Sequence, residues 1–145
     1  MRTLVIHHVE SMWDSSLMNF GTNIYEVCQR IIEQIESSNY GRIILTRFEE
    51  DVLEDVHYET GLAEHIQVVH DYGYGWEEGM IDGEEGETWA EGGHHSQIVY
   101  LPDWIKALSK NVDLCGAFDG ECIEDMEIAL EACGKNVNRI ENCIV

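Results

Sequence analysis

The stretch Leu114-Cys115-Gly116-Ala117-Phe118-Asp119-Gly120-Glu121-Cys122-Ile123 decides the fold. An apolar strand runs into a turn bounded by Gly116 and Gly120, and a helix then opens with Cys122 in its first turn. Strand, tight turn and helix form the unit from which parallel α/β sheets are built. The same unit presents a thiol for chemistry. N–H groups without intrahelical partners favour negative charge at a helix N-terminus, which suits a thiolate or an oxyanion.

Working outward, Ile123, Met126, Leu130 and Cys133 fall on one face of the last helix, Gly134 ends it, and Val137 to Val145 reads as a closing strand. Upstream, Val112 to Phe118 is a strand, and Pro102 opens a short helix through Ser109. Gln97 to Leu101 reads as a strand as well. Thr3 to His8 is a short apolar run with β-branched residues, hence a buried strand. Ile24, Val27, Cys28, Ile31, Ile32 and Ile35 form a helical stripe. Arg42 to Thr46 and Ile66 to His70 read as further strands, with a short helix from His57 to Glu64 before the latter.

The alternation predicts a single α/β domain over 1–145: three layers, Rossmann-like, with a mostly parallel sheet of about five or six strands. Ligands in such folds bind beyond the carboxyl ends of the strands. Those ends are expected at His7/His8, Arg47 to Asp51, His70/Asp71, Leu101 and Phe118 to Cys122. There is no GxGxxG or Walker A motif, so nucleotide binding of those kinds has no support, and no cofactor is expected.

Charge is the outlier of the composition. Lys and Arg number 8 against 29 Asp and Glu, a net charge of −21. Such a chain repels a bare phosphate backbone, which argues against direct nucleic-acid binding. The same charge suits solubility or a cationic protein partner. From Arg47 to Glu91 there are 15 acidic residues and one basic residue, including a Gly- and Glu-rich loop expected at about 73–95. No apolar run approaches the roughly 20 residues that cross a bilayer, and the start lacks a basic-then-apolar leader. Five cysteines at irregular spacing, without a CxxC pair, read as reduced thiols in a cytoplasmic setting, four of them at positions expected to be buried.

With Gly116, Cys122, Ile123, Gly134 and the strand from Val137 to Ile140, the segment from Trp104 to Val145 resembles the isochorismatase-like cysteine hydrolases, the superfamily that includes nicotinamidases. The first strand, followed by His8-Val9-Glu10-Ser11-Met12-Trp13, is similar too. The resemblance implies a Rossmann-like fold and hydrolysis of a small amide or related bond, with Cys122 as nucleophile. His8 (or His7, with a shifted alignment) stands where the family has its catalytic aspartate. No lysine precedes Lys106, and His94 and His95 lie nearest the slot of the family's catalytic lysine. Only the cysteine of the family's Asp-Lys-Cys set is therefore retained. The family's metal signature has only a faint echo in Asp55 and His57, and no HxxxH or HxH pair occurs, so no metal is expected.

The candidate catalytic residues are accordingly Cys122, His8, His94 and His95, with His7, Trp13, Trp76, Phe118 and Asp119 as candidates for substrate contact. Each has a plainer alternative. Cys122 would be a small residue packed where helix meets sheet, with Asp119, Glu121, Glu124 and Asp125 opposing a thiolate. His7 and His8 would be strand-end histidines satisfied by backbone, on opposite faces of the sheet. His94 and His95, after Gly92-Gly93, would belong to a loop entering a strand, and Trp76 to aromatic anchoring of the acidic loop. Two functions follow: a divergent hydrolase of a small-molecule substrate, or an acidic, non-catalytic binding or inhibitory protein of viral or accessory type. Homo-oligomerisation is left open.

Overall fold

The computed structural model describes residues 1–9, 24–47, 60–72, 89–91 and 98–145. Five strands form one parallel sheet: β1 (Arg2–His7), β2 (Tyr40–Arg47), β3 (Val68–Asp71), β6 (Asn111–Gly116) and β7 (Asn136–Ile144), in the order β3-β2-β1-β6-β7. The helices are α1 (Ile24–Ser37), α2 (Asp103–Lys106) and α3 (Cys122–Ala132), and a 3-10 turn spans Leu62–His65.

Alternation along the strands divides the core. Leu4, Ile6, Ile43, Leu45 and Cys115 face α1, which buries Ile24, Val27, Cys28, Ile31 and Ile32 against them. Val5, Ile44, Val112 and Leu114 face the other way, onto Ile105 of α2 and Ile123, Met126 and Leu130 of α3. These two apolar layers on either side of the sheet are the three-layer α/β arrangement that the strand–helix alternation predicts.

Three expectations need correction. Gln97 to Leu101 does not supply a strand to the main sheet. β5 (Ile98–Tyr100) instead pairs antiparallel with β4 (Trp89–Glu91) in a separate two-stranded sheet, so Leu101 is not a carboxyl end of the parallel sheet. Trp89–Glu91 is strand rather than part of the acidic loop. Of the short helix expected from His57 to Glu64, residues 57–59 lie outside the described residues and Thr60 is helical, but the helix breaks at Gly61, φ 80, into a 3-10 turn at Leu62–His65.

From β1 the chain builds outward through β2 and β3, then returns to lay β6 and β7 on the other side of β1. The direction of winding therefore reverses between β1 and β6. In open α/β sheets the crevice at that reversal is where ligands sit. It lies between the carboxyl ends of β1 and β6, at His7 and Gly116.

Candidate active site at the reversal point

His7 follows Thr3 and Val5 in the alternation, so its ring lies on the α3 side of the sheet, level with Thr46 of β2. It is fully buried. Its Nδ1 meets Thr46 Oγ1 at 2.6 Å, and the Thr46 hydroxyl donates to the Ile6 carbonyl at 3.3 Å. A hydroxyl has one proton to give, so both contacts are satisfied together when His7 carries its proton on Nδ1. Nε2 then holds the lone pair and makes no hydrogen bond of full geometry among the described residues, although the ring lies close enough to the main chain of Cys122 to feel it. Burial, then the neighbouring His8, push the His7 pKa well below its ordinary value, while the main chain of Cys122 pulls in the opposite direction. His7 is therefore a neutral imidazole at neutral pH.

His8 does not take the opposite face. It leaves the strand in the left-handed region, φ 50, which a residue with a Cβ rarely adopts. Its N–H still reaches the Thr46 carbonyl at 3.0 Å. The turn lays its ring on that of His7, centroids 3.7 Å apart and planes 20° from parallel. The carbonyl of Tyr72 accepts from His8 Nε2 at 2.6 Å, which fixes that proton. The expectation of one histidine on each face fails here because His8 is no longer in β conformation.

Tyr72 closes the cluster. It is buried, edge-on to His7 at 5.5 Å, and edge-on to Trp104 at 6.4 Å, while Trp104 stacks on His70 at 4.4 Å. Tyr72 thus belongs to the core and not to an exposed aromatic loop. Thr46 did not stand out in the sequence, and Tyr72 did so only as the first of the aromatics interleaved with glycines from Tyr72 to Trp76. The signal for Thr46 was its place at the end of β2, level with His7.

On the β6 side, Gly116 has φ 118, and a Cβ there would overlap the His7 carbonyl, which accepts from Ala117 N at 2.9 Å. Only glycine lets the two strand ends approach this closely. The turn is tied down further by Asp119 N to the Val145 carbonyl at 2.6 Å and Val145 N to the Gly116 carbonyl at 3.0 Å. Glu121 N and Ile123 N both go to the Phe118 carbonyl. A helix start of this kind favours an anion such as an oxyanion.

Cys122 is the first residue of α3, and its side chain is buried with 8% exposure. Cys28, Cys115 and Cys143 are buried in the α1-side core, where desolvation pushes Cys28 and Cys143 up to about 11 and Cys115 well above the usual thiol value. All five cysteines are free thiols, and Cys122 is the one placed at the reversal point. Phe118 is buried in the α1-side core, whereas Asp119 is exposed and paired with Arg139 at 2.6 Å. The structure thus brings His7, His8 and Cys122 to one edge. Trp13, Trp76, His94 and His95 lie outside the described residues, as do Asp55 and His57. Among the described residues no group of three His, Cys, Asp or Glu side chains is arranged to hold a metal ion, and no helix is long and apolar enough to cross a membrane.

No family model, curated protein or solved structure matches the chain.

Proposed function

We propose that the chain is a divergent isochorismatase-like cysteine hydrolase, acting in the cytoplasm on a small amide or related C–N bond. The observation that carries the reading is the lone pair of His7 Nε2, buried at the reversal point beside the segment that begins α3 with Cys122. In this reading His7 takes the thiol proton as Cys122 sulfur bonds to the substrate carbonyl carbon. First-turn N–H groups of α3 receive the oxyanion. The C–N bond then breaks, and the amine leaves with the proton held by His7. Water attacks the thioester, His7 takes its proton and returns it to sulfur, and the acid departs. Burial makes the imidazolium costly, so proton transfer is coupled to attack and no resting ion pair is required.

The test is p-nitrophenyl acetate as an acylating probe. The expected result is a stoichiometric burst of nitrophenol with an acetyl group mapped to Cys122. The burst is lost in Cys122→Ala and slowed at least tenfold in His7→Gln, a rate factor typical of a lost general base. Equal rates in the wild type and Cys122→Ala overturn the proposal. The net charge of −21 favours a second reading, a non-catalytic protein that engages a cationic partner. That reading expects no burst and a partner affinity weakened by salt.

A further inference from the structure

Four cations gather at the amino edge of the sheet, where Asp113 already pairs with Arg2. Arg2 starts β1, Lys110 and Lys135 stand just before β6 and β7, and Arg42 is the third residue of β2, all toward the amino edge of the sheet. The carboxyl edge carries Asp119, Glu121 and Glu124 around the first turn of α3, with Asp125 buried behind them. Arg139 reaches this turn but is surrounded by Asp119 at 2.6 Å, Glu141 at 2.9 Å and Glu127 at 3.2 Å. One positive charge against three negative ones leaves that cluster anionic. Arg47 ends β2 as the remaining described cation at a carboxyl end of the sheet.

We infer that the site at His7 and Cys122 takes a positively charged substrate and rejects carboxylate or phosphate-bearing ones. This rests on the hydrolase reading and specifies its substrate class. The carboxylates do not themselves make the site, which stands on Cys122 and the buried Nε2 of His7, free of any hydrogen bond of full geometry among the described residues. They set the potential through which a substrate must approach. A crevice lined by one sign of charge with low-dielectric walls raises the local concentration of the opposite sign by factors of about 10 to 1,000. Every approach to the first turn of α3 passes within about a Debye length of these carboxylates at physiological salt.

The molecule contains its own control. Cys133, half-buried, caps the far end of α3 near Lys106 and Lys135, in a chain of the same net charge. The experiment treats the native protein with trimethylammonioethyl, methyl and sulfonatoethyl methanethiosulfonates and follows each cysteine by peptide mass spectrometry. At Cys122 the cationic reagent is expected to react roughly tenfold or more faster than the anionic one, with the ratio collapsing in about 0.5 M salt. At Cys133 the ratio is expected to be smaller or inverted. Equal ratios at the two cysteines overturn the inference, because net charge alone would then account for them, and leave the hydrolase reading standing. Cys122 inert to all three reagents while Cys133 reacts removes the hydrolase reading and this inference with it. Glu121→Gln/Glu124→Gln is expected to lower the ratio at Cys122 and leave Cys133 unchanged.

Discussion

A single buried imidazole gives the molecule a defined response to acid. Unfolded, His7 binds a proton below its ordinary pKa of 6.5; folded, it stays neutral to well below that value. Below 6.5 the unfolded chain therefore binds more protons, and stability falls as pH falls. The slope is about 1.4 kcal/mol per pH unit for this one group until the folded pKa is reached. Urea denaturation at pH 7.5 and 5.5 is expected to show His7→Gln less destabilised by acid than the wild type. Parallel losses in the two proteins would mean that His7 is not held neutral. At this scale the sequence was only half legible. Adjacent histidines at a strand end were visible, but their stacking was not, because it depends on a left-handed backbone at His8 that no local motif announces. Gly116, by contrast, was readable as a turn residue, and the structure adds what it avoids: an overlap with the His7 carbonyl.

Among the elements, the starts of the strands are joined by one carboxylate. Asp113, in β6 and almost fully buried, accepts from Arg2 Nε at 2.7 Å, from the Tyr40 hydroxyl at 2.7 Å and from Asn138 Nδ2 at 3.3 Å. Those partners belong to β1, β2 and β7. Desolvation, foremost, and the Asp113 carboxylate help push the Tyr40 pKa up to about 12, so its hydroxyl stays a donor. Asp113→Ala would leave three donors aimed at an empty site. A loss of roughly 1–3 kcal/mol is expected, in line with leaving the partners of a part-buried network unsatisfied, and is measurable as a lower urea midpoint at an unchanged slope. A change below about 1 kcal/mol would show that water replaces the carboxylate. The helices α1 and α3 and the parallel strands were legible from periodicity and apolar runs. β5 was legible as a strand but not in its pairing. A three-residue apolar run has no period that distinguishes an inner parallel strand from one arm of a separate hairpin.

Across the whole molecule, self-repulsion is the term to test. With 29 acidic and 8 basic residues, compaction brings like charges together. Raising sodium chloride from about 0.05 to 0.5 M shortens the Debye length from above 10 Å to below 5 Å, and the urea midpoint is expected to rise. A fall would mean that ion pairs such as Arg2–Asp113 at 2.6 Å outweigh the repulsion. The three-layer architecture follows from helices alternating with strands, but the strand order and the reversal point do not, because the same alternation is compatible with more than one order. The placement of charge along the strand axis was not legible, since it appears only when the strands are laid in register. The sequence left the histidine partner of Cys122 open between His7, His8, His94 and His95; the structure brings His7 to the start of α3 because β1 and β6 are neighbours.

The contact of Gly116 with His7 has a mechanical consequence. Most crevices in α/β proteins have a lining of side chains that rotate and yield. Here main chain rests on main chain where β1 and β6 end, with no rotatable layer between. Such a joint resists compression, and any displacement of the β6 end is delivered directly to the residue that carries the imidazole.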